Sequence, residues 1–108
     1  MARKSKADHS VIVLPWLKGP MQRFVLPNWT AITIGRRIFA WRKLDPVELA
    51  HELKHVEQWR RHGAAFIAMY WMASRAAAKA GGDRYADNRF EKEAAVAAEN
   101  ERERLASA

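Results

Sequence analysis

Residues 45–63, DPVELAHELKHVEQWRRHG, have the pattern of one complete helix with both of its ends. This helix is the starting point for predicting the rest of the fold. Asp45 supplies an N-cap carboxylate, Pro46 suits the first helical position, and Glu48 stands where a capping box places its acidic residue. At the other end, Gly63 is a residue type that often follows the last residue of a helix. Residues 60–62 are basic, and positive charge in the last turn of a helix interacts favourably with the helix dipole. The sequence therefore predicts a helix from about Pro46 to about His62.

Within this helix, residues 51–55 read HELKH. Two histidines four positions apart lie on one helical face, about one turn apart, so both imidazoles can bind one Zn²⁺. The glutamate between them can reach a water molecule beside that ion. We therefore predict that His51 and His55 are metal ligands and that Glu52 is the general base of a water-activating site.

A catalytic zinc ion needs three protein ligands and one open position. The chain has no cysteine, so the third ligand must be a carboxylate or another histidine. A last helix is predicted from about Asn88 to Leu105, and in it Glu91 and Glu93 point to nearly opposite sides. Glu91 lies on the face predicted to pack inward and is the predicted third ligand. The alternative is that Glu91 only completes a capping box with Asn88.

The remaining pattern predicts an α+β fold, with a small, mostly antiparallel N-terminal sheet followed by three helices. An apolar helix, residues 64–79, separates the motif helix from the last helix and is predicted to back the motif helix in the core. The whole chain, residues 1–108, is predicted to be one domain, with residues 1–9 as a basic, flexible tail. The predicted strands are Ser10–Leu14, Gln22–Leu26, Ala31–Ile34 and Arg37–Arg42.

Composition narrows the setting of the protein. The absence of cysteine fits a reducing compartment and excludes disulfides. The apolar run 11–17 is too short and too broken for a signal peptide, and the apolar stretch 63–80 is too short and too charged for a membrane span. We therefore expect a cytoplasmic protein without a membrane span, and the sequence leaves its oligomeric state open.

The net charge of +7 is uneven, because residues 1–43 hold nine Lys/Arg and one Asp, whereas the remainder is nearly neutral. A basic surface of this kind can bind nucleic acid weakly through phosphate contacts. The alternative function is therefore a basic nucleic-acid-associated protein, or a protease acting at DNA, in which the zinc site is secondary or structural. A structural zinc site would need a fourth protein ligand, for which His62 is the candidate. The residues of this surface would be Arg3, Lys4, Lys6, Arg36, Arg37, Arg42 and Lys43.

Two segments together resemble a known family. HELKHVEQW, residues 51–59, is followed by a helix rich in Tyr and Trp and then by NRFEKEA, residues 88–94. This arrangement resembles the gluzincin metallopeptidases and is most similar to their very small members, the minigluzincins. The resemblance covers about residues 32–98, and its one departure is Arg89, where the small members carry proline.

The resemblance implies one Zn²⁺ per chain, bound by His51, His55 and Glu91, with Glu52 as general base and a polypeptide as substrate. It also implies that an edge strand beside the cleft binds extended peptide, which here would be residues 37–43, with substrate contacts from Arg37, Phe39 and Trp41. Some small members are latent forms with a blocked cleft. The predicted function is thus a small zinc metallopeptidase, active or latent.

Peptide hydrolysis also creates an oxyanion, which needs a donor besides the metal. Two residues in the loop before the last helix, Tyr85 and Arg84, are the nearest candidates. Tyr85 is therefore included with Glu52 among the predicted catalytic residues.

Overall fold

In a computed structural model of the chain, residues 9–24 and 30–107 are described. They form three strands and four helices, with a small sheet first and the three long helices last. The predicted α+β class is confirmed. The elements are β1 (Ser10–Val13), a 3-10 turn (Pro15–Leu17), α1 (Lys18–Phe24), β2 (Ala31–Ile34), β3 (Arg37–Ala40), α2 (Pro46–His62), α3 (Ala65–Lys79) and α4 (Arg89–Ser107).

The sheet has the order β1-β3-β2, so β3 is its central strand. β2 and β3 form an antiparallel hairpin, and Gly35 occupies the first central position of its two-residue turn with a φ of 65°. A type II′ hairpin turn requires this conformation at that position. β1 pairs with β3 in parallel, so the sheet is mixed: one of its two pairings is antiparallel.

One predicted strand is wrong. Residues 22–24 of the predicted strand Gln22–Leu26 belong to α1, and its last two residues lie outside the described ranges. Pro20 lies in the first turn of α1, where the lack of an N–H costs nothing. Met21 is buried in this helix. Apart from His9, the predicted tail also lies outside the described residues.

The core lies between the sheet and α2. Strand alternation and register place Ala31 and Thr33 of β2 on the same face as Ile38 and Ala40 of β3, and all four are buried. The opposite face of β3 carries Arg37 and Phe39. The apolar stripe of α2 covers the buried face through Leu49, Leu53 and Val56.

α2 begins and ends where the sequence predicts. Asp45 accepts a hydrogen bond from the backbone N–H of Glu48, and the Glu48 side chain accepts one from the N–H of Asp45, which completes the capping box. The guanidinium of Arg42 donates two further hydrogen bonds to the Glu48 carboxylate. Gly63 follows the last turn with a φ of 62°. The start of α2 is therefore fixed by side chains on both sides of it.

α4 packs along α2, whereas α3 contacts both helices more sparsely. α3 was expected to be enclosed in the core, but Ile67, Trp71 and Met72 are exposed and only Phe66 and Ala77 are buried. A chain of this size has too few elements to surround three long helices. Within the two described ranges, no helix is long and apolar enough to cross a lipid bilayer.

Candidate metal centre

Three side chains from two helices meet at one point. His51 and His55 lie one turn apart on α2, and Glu91 lies in the first turn of α4. The Nε2 atoms of His51 and His55 are each 3.1 Å from the same carboxylate oxygen, Oε1 of Glu91. His55 and Glu91 are buried, and His51 is partly exposed. The predicted ligand set is therefore assembled, and these three side chains form a group that could hold a metal ion.

The alternative capping role of Glu91 does not apply. Asn88 caps α4 on its own, since its Oδ1 accepts a hydrogen bond from the backbone N–H of Phe90 at 2.8 Å. The carboxylate of Glu91 points away from the helix end and toward α2. α4 also begins at Arg89, so the absence of proline at that position does not prevent the helix from starting there.

Gln58 determines which nitrogen of His55 faces the site. Its amide nitrogen lies 3.1 Å from the carbonyl oxygen of Phe90 and 2.8 Å from Oε1 of Glu93. A carbonyl and a carboxylate can only accept, so this atom must be the NH₂ group, and Oε1 of Gln58 must be the atom 2.8 Å from Nδ1 of His55. Nδ1 of His55 therefore carries a proton and donates a hydrogen bond to Oε1 of Gln58.

This tautomer leaves Nε2 of neutral His55 with a lone pair that faces the lone pairs of a carboxylate oxygen. Only a cation between the two atoms, either a proton or a metal ion, relieves that repulsion. Burial alone would lower the pKa of His55, but the hydrogen bond and charge of Glu91 outweigh burial and raise it. Burial alone would raise the pKa of Glu91, but hydrogen bonds from His51 and His55 lower it to about 2. The donor set therefore fits a cation.

Glu52 lies beside the three candidate ligands. Among the described residues, no hydrogen bond joins its side chain to any of them. The hydroxyl of Thr33 donates to Oε1 of Glu52 at 2.8 Å, so a residue of β2 holds the predicted general base. A pocket of about 510 Å³ opens next to Glu52, His55 and Glu91. Its walls are mainly apolar and come from β2, α2 and α3. A smaller pocket lies on the other side of Glu52, next to His51.

Tyr85 lines both pockets, and Arg84 lines the larger one. Burial raises the pKa of Tyr85, and the charges of Glu91 and Glu52 raise it further. Its phenol is therefore protonated at neutral pH and can act as a hydrogen-bond donor. The assignment of Tyr85 as an oxyanion donor stays a prediction.

The predicted location of the edge strand is wrong. Residues 37–40 form the central strand, and the strand that borders the pocket is β2. Arg37 and Phe39 lie on the sheet face opposite α2, and Trp41 contacts the cationic groups of Lys18 and Arg42. None of the three predicted substrate contacts lines either pocket. The error arose because hairpin strands of similar composition do not reveal which of them pairs with a distant third strand.

His62 does not approach the candidate ligands. Its ring stacks on Phe66 with centroids 6.3 Å apart and meets the edge of Phe90. Across residues 9–24 and 30–107, the group that could hold a metal contains His51, His55 and Glu91 and no fourth protein ligand.

The basic surface predicted for nucleic acid is only partly described. Arg3, Lys4 and Lys6 lie outside the described ranges. Arg42 is exposed but forms an ion pair with Glu48. The other exposed basic residues of the hairpin and the following loop are Arg36, Arg37 and Lys43.

Four residues at the site were not assigned a role from sequence. Gln58 had a visible signal, because it lies three residues after His55 on the same helical face. Glu93 is exposed, and its carboxylate also accepts a hydrogen bond from the buried amide of Gln58. Thr33 and Tyr70 reach Glu52 and Glu91 across the tertiary fold, and no local pattern marks such contacts.

No protein-family model, no curated protein and no solved structure matches this chain.

Proposed function

We propose that this protein is a small zinc-dependent peptidase of the gluzincin type. The observation that carries the proposal is the convergence of two imidazole nitrogens on one oxygen of Glu91, beside a pocket that also exposes Glu52. Two nitrogen ligands and one carboxylate ligand are the set found in several zinc hydrolases, and they leave a fourth position open.

A zinc ion on these ligands would act as a Lewis acid and make a neighbouring water molecule more acidic. Glu52 is the group of this chain that takes the proton from the attacking water and returns it to the leaving amine. Thr33 holds one oxygen of its carboxylate, Oε1, by a hydrogen bond of 2.8 Å, and leaves Oε2 to other partners. Glu52 is therefore oriented through one oxygen while the other can take up the proton.

The edge of β2 supports binding of an extended peptide. The backbone N–H of Trp41 donates to the carbonyl of Thr30, so the carbonyl and N–H groups of Thr30, Ile32 and Ile34 face β3. The carbonyl and N–H groups of Ala31 and Thr33 face outward. Of these groups, the carbonyl of Thr33 already accepts a hydrogen bond from the indole N–H of Trp59. A peptide that pairs with the remaining outward groups would pass between the two pockets and over Glu52.

The larger pocket indicates the kind of side chain that the substrate carries. Its lining includes the rings of Trp59, Phe66 and Tyr70 and the side chains of Ile34 and Ile67. Burial of an apolar side chain there would stabilise the complex by about 2 kcal/mol. We therefore propose that cleavage occurs beside a large apolar residue.

The proposal is tested by measuring zinc content and peptide cleavage in parallel. The wild type should bind one zinc ion per chain and cleave a mixed peptide library. Glu52→Gln should retain zinc and lose cleavage, whereas Glu91→Gln should lose both. Glu57→Gln is the matched control, because Glu57 lies on the same helix and its carboxylate accepts hydrogen bonds from Lys54 and Arg61 instead of facing the candidate ligands.

The other outcomes separate the alternatives. A wild type without zinc would overturn the proposal. Zinc without cleavage in any peptide pool would favour a structural or latent site. Salt-sensitive DNA binding that survives His51→Ala, together with no cleavage, would favour the nucleic-acid-associated function.

A further inference from the structure

The second oxygen of Glu91 has a partner of its own. The phenol of Tyr70 on α3 donates a hydrogen bond to Oε2 of Glu91, with 2.5 Å between the oxygens. Oε1 is the atom that faces His51 and His55. The two oxygens of one carboxylate are thus assigned to different partners, one to the imidazoles and one to the phenol.

Tyr70 is held firmly in this position. Its ring stacks on Phe90 with an interplanar angle of 18° and meets Phe66 edge-on. Its backbone carbonyl accepts a hydrogen bond from the side chain of Asn88, the fully buried cap of α4. Asn88 thus links the start of α4, which carries Glu91, to α3, which carries Tyr70.

We propose that Tyr70 is a positioning residue that keeps Glu91 a ligand through Oε1 alone, by occupying Oε2. This inference rests on the metal site of the proposed function. A carboxylate can bind a metal ion through one or both oxygens, and a second bound oxygen would fill the position that a water molecule needs. Hydrogen bonds to the outer atoms of a ligand are a general means of orienting it.

The phenol is suited to this task because its hydroxyl lies at the end of a long, rigid side chain and reaches the carboxylate of Glu91 from α3. Serine or threonine at this position would be too short to reach Glu91 from α3.

The experiment compares wild type, Tyr70→Phe and Ser74→Ala after loading with Co²⁺ and, separately, with Zn²⁺. Ser74→Ala also removes a hydroxyl from α3 beside the same pocket, but that hydroxyl bonds the carbonyl of Arg84. The visible absorption of Co²⁺ weakens as its coordination number rises. Zinc affinity is measured by competition with a chelator, and thermal melting establishes that each variant is folded.

Tyr70→Phe should weaken and shift the Co²⁺ absorption and reduce zinc affinity by about 10-fold to 100-fold. Ser74→Ala should leave both unchanged. A Tyr70→Phe variant with the wild-type spectrum and affinity would overturn the proposal, even if cleavage fell, because Tyr70 would then act on the substrate instead. If the wild type binds metal but cleaves nothing, the spectra still decide the role of Tyr70, and if it binds no metal, both proposals fail.

Discussion

Oε1 of Gln58 accepts a hydrogen bond from Nδ1 of His55, three residues earlier on α2, over 2.8 Å. The amide nitrogen of the same side chain donates to the backbone of Phe90 and to the carboxylate of Glu93 on α4. Gln58 is 1% exposed, so its polar atoms depend on these partners. The orientation of His55 is thereby coupled to the position of α4, the helix that carries Glu91.

Gln58→Met keeps the approximate volume of this side chain but removes its polar atoms. We expect zinc affinity to fall about 10-fold to 100-fold, because His55 loses the acceptor that fixes its tautomer. The unfolding free energy should fall by about 1–3 kcal/mol, because the carbonyl of the buried Phe90 loses its donor and Nδ1 of His55 loses its acceptor. Chelator competition and chemical denaturation measure the two effects. ¹⁵N NMR of the metal-free wild type should show a proton on Nδ1 of His55, and a bare Nδ1 would contradict this assignment.

Thr33→Val replaces the hydroxyl that holds Glu52 by a methyl group of similar size. We expect kcat to fall by about 10-fold or more, because proton transfer depends on the placement of the base. Zinc content should not change, since the Thr33 hydroxyl donates to Glu52 and not to any of the three candidate ligands. Thr33→Ser, which restores a hydroxyl, should recover most of the rate. An unchanged kcat in Thr33→Val would show that the hydrogen bond does not matter for catalysis.

Removal of the metal should destabilise the protein. A ligand that binds only the folded chain adds about 2.7 kcal/mol at a free concentration 100 times its Kd. For a domain of this size, that corresponds to a shift in Tm of roughly 10 °C or more. Differential scanning calorimetry with zinc and with chelator measures the shift. Glu91→Gln should show almost none of it, and an equal shift in that variant would place zinc elsewhere on the chain.

Glu48→Gln should destabilise the protein at neutral pH but not in acid. The hydrogen bond from Arg42 lowers the pKa of Glu48 below its ordinary 4.5, against the opposite effect of burial. A carboxylate with a lowered pKa stabilises the folded state above its unfolded pKa, and this contribution disappears as the pH falls through the folded pKa. The pair is partly exposed, so the loss at pH 7 should be at most about 1 kcal/mol.

The measurement is the difference in unfolding free energy between wild type and Glu48→Gln at pH 7 and at pH 3. Glutamine can still accept the capping hydrogen bond from Asp45, so the comparison keeps the cap and removes the ion pair with Arg42. A difference that is as large at pH 3 as at pH 7 would rule out the ion pair as its source.

Local features of the sequence predicted a large part of this structure. The ends of α2 follow from Asp45, Pro46 and Gly63, whose effects act within one helical turn. The histidine spacing and the inward direction of Glu91 follow from helical periodicity. The three candidate ligands could thus be predicted because each belongs to a helix with a strong local signal.

Apart from the strand predicted at Gln22–Leu26, whose first residues are helical, the errors concern relations between distant segments. The central position of β3 depends on a parallel pairing with β1, and nothing within β3 specifies that partner. The contacts of Thr33 with Glu52 and of Tyr70 with Glu91 span 19 and 21 residues, so helical or strand periodicity cannot predict them. The exposure of α3 depends on how much surface the other elements are able to cover.

The bridge from Glu91 to His55 and His51 joins positions 36 and 40 residues apart in a chain that contains no cysteine. The unfolded chain seldom brings positions this far apart together, so a cation that needs all three side chains binds the folded chain and adds its binding free energy to that state. A bound cation would therefore act as a reversible cross-link that closes more than a third of this small protein into one loop. Supply of the ion would then govern how much of the chain is folded as well as what it can do.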